Sequence, residues 1–464
     1  MRVAIEGTVW MLLLVLLARG FVGDTFVLRT MSMEPTLLGR PEGGERIVVS
    51  DLHYGFEEPA RFDVAVFVFP NDTSVRYMKR LVGLPGEQVL ILGGDLFLAP
   101  PDFTGDPARG LEQGLLRIVR KPAAVRETLL EGFPVPFPGG LDPFHPDRLW
   151  TAFERLDEGP DEAVLVREGR IELETGACIL SRGRILDDLH DLLNDHPAGA
   201  AGTLVQRGSV PVGDLSWSVE ARSRGGPALA SLALRNAGHD LPIEARIPLG
   251  RKGRTRILLD EREIASTETD LEGETWHALR LDDIDRELVL SIDGDVILSA
   301  AYEAAHPTRD PLPGRSACGL GSSGGRVAFR TPRLRRDIHY LQRGRWRFLV
   351  PEGEFLFLGD NQPASADARL WRRTAILDIR SGRILEGDAM GLAPETFRPP
   401  GSNPWREPDG SFAFVDVHGR LHRFESESAF RRLGTWPTPY VPRDHLRGRG
   451  LLVLTPLRRM RLVR

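Results

Sequence analysis

Between about residues 210 and 340 the chain repeats one device: short segments in which apolar and polar residues alternate, each closed by turn-forming residues. The segments 215–221, 230–234, 243–247, 255–259, 276–281 and 288–292 all follow this rule. A period of two places successive side chains on opposite faces of a strand, so each segment has one face to bury and one to wet. Asp293-Gly294 interrupts the alternation with a residue pair suited to a tight hairpin. Many short strands at regular spacing imply an antiparallel sandwich. That unit accounts for under a third of a chain of 464 residues, a length that requires two or three cores. A hydrophobic share of 41% supports packed domains. With 60 basic against 65 acidic residues, the net charge of -5 gives no reason to expect nucleic acid as a partner.

The amino end has a different character. Residues 7–18 read GTVWMLLLVLLA without a charge, and Gly20 to Val22 continue the apolar run past Arg19. This falls short of the roughly 20 residues that span a bilayer, so a spanning helix here needs a snorkelling Arg19 and a tilted or thinned fit. A cleaved leader, a buried helix and an uncleaved anchor all fit the run. Bulky Phe21 near the exit disfavours the leader.

Three polar motifs follow. TMSMEPTL occupies 30–37, YMKRLVGLPGE occupies 77–87 and GDNQPASADAR occupies 359–369. Each has an ordinary explanation alone: a capping serine before a turn, a strand lysine reaching solvent, and a Gly-Asp-Asn turn. Together and in this order they resemble the type I signal peptidases, membrane-anchored Ser-Lys proteases. Lysine rather than histidine in the second motif points to the bacterial or organellar type.

The resemblance implies a role for each matching residue. Ser32 is the nucleophile and Lys79 the general base, a pairing in which the lysine must be neutral. Tyr77, Met78, Leu81 and Val82 supply the apolar surroundings that lower an amine's pKa. Thr30 and the Ser32 amide hold the oxyanion. Ser365 hydrogen-bonds the lysine amine, Asp360 pairs with Arg80, and Asp367 pairs with Arg369. Phe26, Leu28, Met33, Leu37, Tyr77 and Met78 match positions that line shallow pockets for small substrate side chains, although each alone also fits a core role. Three positions depart from the family pattern: Met31 where glycine is usual, Gln362 where arginine is common, and Ala368 where serine is common. No metal or cofactor is implied.

The expected fold is mainly β. It comprises an anchor over 1–23, a catalytic β domain in two parts over 24–100 and 341–464, a mixed insert over 101–209, and the sandwich over 210–340. In the mixed insert, Ile118 to Pro122 opens a short helix, 133–140 is a turn-rich linker and 185–193 a brief amphipathic helix. The sandwich resembles a laminin-G or concanavalin-like jelly roll, a class that often binds glycans or proteins, so a ligand of either kind is an expectation from resemblance alone. Trp217 and Trp276 suit a sugar platform or core packing, and Asp282, Asp283 and Asp285 suit calcium or an acidic turn. His418 and His422 flank a hairpin turn that explains them without a metal. The expected activity is removal of signal peptides from exported proteins at the outer face of the cell membrane, with preprotein signal peptides and the lipid bilayer as partners. An inactive or narrow-specificity homologue that works through its sandwich is the competing expectation.

Overall fold

A computed structural model describes residues 24–34, 36–40, 43–132, 134–135, 153–155, 164–167, 170–181, 213–235, 241–302, 317–342, 344–390 and 403–463. The apolar amino end, the 136–140 part of the linker and the 185–193 helix lie outside these residues. Among the described residues no helix is long and apolar enough to cross a membrane. The chain divides into two compact units, one made of 1–90, 99–103 and 342–464, the other of 91–98 and 104–341.

The first unit is built on an antiparallel sheet drawn from both ends of the sequence. Its strands are β1 (Thr25–Val27), β2 (Arg46–Ser50), β3 (Val64–Val68), β4 (Arg76–Gly83), β5 (Glu354–Leu358), β6 (Tyr440–Pro442), β7 (Leu446–Thr455) and β8 (Arg461–Leu462). They pair in the order β1-β2-β7-β3-β4-β5-β6, with β8 added to β7. The central strand β3 reads VAVFV and is buried throughout, as β-branched and aromatic residues are when both faces of a strand are covered. Met33, Leu37, Ile47, Val49, Val66, Met78 and Val453 pack as one core beneath it.

Pairing between β4 and β5 covers Gly83, Leu81 and Arg80 and goes no further toward Lys79. β1 is the edge strand of the sheet. Two smaller three-stranded sheets also belong to the unit. One holds the hairpin of Phe412–Val415 and Leu421–Phe424, where Asp416 accepts from the His418 and Arg420 amides and meets His422 Nε2 at 2.7 Å. The two histidines are accounted for by this turn.

The second unit is a sandwich of two antiparallel sheets. Leu215–Arg224, His277–Ile284, Glu287–Ile292, Asp295–Ala301 and Arg326–Arg336 belong to one sheet. Ala228–Arg235, Pro242–Leu249, Arg251–Leu259, Arg262–Leu271 and Ala317–Ser323 belong to the other. Their inward residues, among them Trp217, Leu232, Ile247, Leu281 and Phe329, form a single core. Ile292 pairs with Asp295, and Asp293 and Gly294 both take positive φ (53° and 94°), the backbone that a two-residue hairpin turn demands. The sandwich is larger than the regular 210–340 stretch. Val164–Arg167 and Arg170–Leu173 extend one sheet, and Cys178–Ser181 extends the other. These runs are four residues each, too brief for alternation to be read from sequence. In the region read as mixed, Ala123–Gly132 is a helix that follows Pro122.

Candidate active site

The site begins with the backbone of the first motif. Met31–Met33 form a single 3-10 turn, entered by extended Thr30 and left through Glu34, whose amide bonds the Met31 carbonyl. Two features fix this turn. Gly39 passes directly under Thr30, and any side chain there would overlap the Thr30 carbonyl. From the other end of the sequence, the Asn361 amide donates to the Ser32 carbonyl oxygen at 3.1 Å and Asn361 Nδ2 donates to the Met31 carbonyl at 2.9 Å. Gly359 is needed for the same approach, since a methyl group on it would meet Ser365 Oγ and the Ser32 carbonyl oxygen.

Lys79 reaches this turn from the middle of β4, and its Nζ makes a direct hydrogen bond with Ser32 Oγ. Both residues are buried, Ser32 at 5% and Lys79 at 3% exposure. Burial lowers the Lys79 amine from 10.5 to about 8, with Arg369 adding to the effect while Asp367 and Asp360 oppose it. A buried carboxylate pair would normally hold a nearby lysine charged. Here both carboxylates are neutralised by arginines. Arg80 Nε and Nη2 bond Asp360 at 2.8 and 2.7 Å, and Arg369 Nε and Nη2 bond Asp367 at 2.7 and 2.6 Å. Thr36 Oγ1 donates to Asp360 Oδ2 at 2.6 Å, which ties the loop after Ser32 to the same pair.

Thr30 Oγ1 lies 3.2 Å from Ser32 Oγ on the exposed side of the turn. Ser365 is close by but does not do what the resemblance implies. Its Oγ is buried and completes no hydrogen bond to Lys79, lying instead against Gly359 and near enough to Asp367 to help hold that carboxyl in its charged form. Lys79 Nζ also sits 5.5 Å from the centre of the Tyr77 ring.

A cavity of about 530 Å³ opens onto Ser32 and Lys79. It is lined by 25–30, by Ser74, Val75, Arg76, Tyr77 and Met78, and by Ala364 and Ala366. Four of the six residues expected to line pockets are there: Phe26, Leu28, Tyr77 and Met78. Met33 and Leu37 are not. They are 0% and 1% exposed and pack into the core with Ile47, Val49 and Val453.

Residues that the motifs did not single out also hold the site. Glu45, 1% exposed, accepts from the Leu38 amide at 2.9 Å and from Arg459 Nε at 2.5 Å, and Arg461 donates to the Thr36 carbonyl. Glu34 beside them is pushed up to about 7 by burial, against the Gly39 amide and the Arg40 charge. Thr36 and Asn361 fall inside the motifs and could have been found there, whereas Arg461 has no local signal. Replacing Arg461 with methionine is expected to lower stability by about 1–2 kcal/mol through the lost bond to the Thr36 carbonyl. An unchanged unfolding midpoint would show that this contact is idle.

In the second unit, Asp95, Asp214 and Asp285 bring carboxylate oxygens within 4.8 Å of one another. Lys121 lies among these charges, 2.6 Å from Asp285 and 2.7 Å from Asp337. Asp282 pairs with Arg280 and Asp283 accepts from Tyr302, so the acidic run 282–285 is largely spent on internal contacts. Trp217 is fully buried and donates to the Gly319 carbonyl. Trp276 is partly exposed and carries the guanidinium groups of Arg222 and Arg330 over its ring.

Comparison with known proteins agrees with the amino-terminal part of this site. Signal peptidase I of Pseudomonas fluorescens is 38% identical over 90 residues, 17% of this chain and 30% of that protein. Signal peptidase I of Aquifex aeolicus is 34% identical over 89 residues, 19% of this chain and 33% of that protein. The chain thus spans about a third of the length of the curated relatives it matches. Among solved structures, a carbohydrate binding module from Bacillus subtilis aligns with 40% of this chain and 95% of its own at 10% identity and a TM-score of 0.27. A Bacillus licheniformis beta-glucanase aligns with 44% and 97% at 11% identity and a TM-score of 0.28. Residues 1–102, which carry Thr30, Ser32 and Lys79, match the family model for signal peptidase, peptidase S26.

Proposed function

We propose that this protein is a serine endopeptidase that removes amino-terminal signal peptides from exported proteins, cleaving after small residues. The observation that carries this reading is the buried contact between Ser32 Oγ and an amine whose pKa falls to about 8. A serine hydroxyl is a weak nucleophile until a positioned base takes its proton, and a lysine near neutrality is such a base.

The chemistry then runs through this chain's own groups. Neutral Lys79 accepts the Ser32 proton as Oγ attacks the scissile carbonyl. Thr30 Oγ1 and the Ser32 amide donate to the oxyanion. The Lys79 ammonium returns its proton to the leaving amine, and in the second half Lys79 draws a proton from the water that releases the acyl group. Arg80, Asp360, Asp367 and Arg369 are supports that keep the amine desolvated without leaving it beside a bare carboxylate. Ser365 packs behind Gly359 in the same support.

The cavity favours an extended substrate. Its lining includes β1, an edge strand, with the segment after it and the part of β4 beyond its ladder with β5, so an extended peptide can add to this exposed backbone as a strand. Phe26, Leu28, Tyr77 and Met78 leave room for small apolar side chains. The apolar run 7–18 supplies a membrane anchor in this reading, with the two-part catalytic unit at the outer surface and the sandwich as an insert in it. Ser32→Ala is expected to abolish processing of a preprotein by the full-length protein in detergent micelles while the unfolding midpoint holds. Processing at the wild-type rate would remove the assignment.

A further inference from the structure

The tip of the loop between β3 and β4 lines the cavity without an apolar anchor of its own. Ser74 and Val75 are lining residues, while the β3–β4 ladder ends at the pair Val68 and Arg76. Thr73 and Ser74 are exposed, so burial of their side chains does not fix this stretch. Residues much later in the same unit hold it instead. Arg373 Nη2 donates to the Pro70 carbonyl at 2.8 Å and its Nε to Asn71 Oδ1 at 3.1 Å. Thr73 donates to the Val417 carbonyl from its amide at 2.6 Å and from its hydroxyl at 2.9 Å. Gly419, at a φ of 74°, comes so close that a methyl group on it would lie 2.5 Å from Ser74 Oγ. Val417 and Gly419 belong to the turn of the hairpin Phe412–Val415 and Leu421–Phe424, and this hairpin is firmly backed. The Val417 amide donates to the Glu386 carbonyl at 2.7 Å, Asn403 bonds both the amide and the carbonyl of Val415, and Phe414 and Phe424 pack with Ile376, Leu385 and Phe430.

We propose that this hairpin belongs to the substrate-binding apparatus: by gripping Thr73 and closing on Ser74, its turn sets the position of the cavity lining ahead of β4 and so the affinity for an extended peptide. The inference rests on the protease reading above and gives a task in it to residues outside the three motifs. Thr73 and Gly419 are positioning residues that act through Ser74 and Val75. At about 3.3 Å per strand residue, Val75 is roughly 13 Å along the chain from Lys79. A contact so far from the reacting atoms is made equally with bound substrate and transition state, so its loss appears in KM and leaves kcat.

The test uses full-length protein in detergent micelles and an internally quenched peptide cleaved after a small residue. Gly419→Ala is expected to raise KM by roughly three- to tenfold while kcat stays within about twofold of the wild type, because its methyl group displaces Ser74. Ser74→Gly removes the two atoms that this methyl group meets first and leaves Asp72 Oδ1, at 3.3 Å, as the nearest. Relative to Ser74→Gly alone, adding Gly419→Ala should therefore change KM by less than about twofold. Where Gly419→Ala does not fold, Thr73→Val takes its place: it loses the hydroxyl bond to Val417, keeps the amide bond, and should raise KM by about two- to fivefold. The limb of kcat/KM near about pH 8 should stay in place in every variant, since none touches the surroundings of Lys79. Wild-type KM in the deciding variant overturns the proposal. So does a loss carried by kcat, or a Gly419→Ala penalty of equal size in both backgrounds, which would confine the effect to the hairpin. Ser32→Ala separates the two levels: if it cleaves the peptide as the wild type does, the protease reading fails and this inference with it. Cleavage that needs Ser32 but keeps its KM in the deciding variant sinks the positioning role alone.

Discussion

Lys79→Met is expected to leave a protein without activity that is more stable than the original. On the proposed mechanism the activity loss is about four orders of magnitude or more, because Ser32 and Lys79 then act as a unit. The gain in stability follows from the cost of keeping an amine at Ser32. A fall from 10.5 to about 8 corresponds to about 3 kcal/mol. Because the folded value lies below the unfolded one, the unfolded chain binds more protons between about pH 8 and 10.5. Lys79 therefore destabilises the fold fully below about 8, and its penalty fades as pH rises toward 10.5. Methionine fills similar volume without charge, at the loss of about 1 kcal/mol for the hydrogen bond to Ser32. A net gain of about 2 kcal/mol near neutrality is expected in denaturant unfolding, shrinking in alkaline solution. A destabilised variant would show that the amine is not strained in the resting site. In the wild type, kcat/KM should rise with pH up to about 8, as Lys79 loses its proton.

Arg369→Met tests the support from the other side. Arg369 and Asp367 are 1% and 0% exposed in their side chains and joined by two short bonds. Removing the arginine strands a buried carboxylate that still accepts the Gly359 amide, and the expected cost is about 3–5 kcal/mol. Two pH signatures distinguish this from simple loss of packing. In the wild type, burial raises the Asp367 carboxyl but the Arg369 charge and bonds outweigh it and hold it low, so the pair's contribution is present above about 3.8 and lost in acid. In the variant only the Gly359 amide and Ser365 still oppose burial, so the Asp367 carboxyl is expected to rise above its unfolded value and mild acid should recover stability. Arg369 also helps depress the Lys79 amine, so the rising limb of activity should move above about 8. An unshifted limb would mean that Lys79 is tuned by burial alone.

Some of this was legible in residue order. VAVFV at β3 and the alternation from Leu215 onward specify strands because β-branched and aromatic side chains favour extended backbone and a period of two sorts them between core and solvent. Asp293-Gly294 specifies a hairpin because a two-residue turn needs two positive φ values. The three motifs single out Ser32, Lys79 and the ion pairs Arg80–Asp360 and Arg369–Asp367 through their resemblance to the type I signal peptidases.

What the sequence could not decide is which way neighbouring side chains face. Met33 and Leu37 flank Ser32 in order, yet both are buried in the core and neither lines the cavity. Ser365 stands in the expected motif, but its hydroxyl lies against Gly359 instead of meeting the amine. Arg461 grips the Thr36 carbonyl across 425 positions, and the short strands around Ile171 and Ile179 find their sheets only through partners near 320–330. Local propensity and chemistry determined the strands, the turns and the reactive groups. The lysine's lowered pKa and the clamp on the serine turn were decided only by the tertiary structure. Burial and Coulomb interactions depend on distance in space, and for groups hundreds of residues apart that distance is set by the sheet that joins the two ends of the chain.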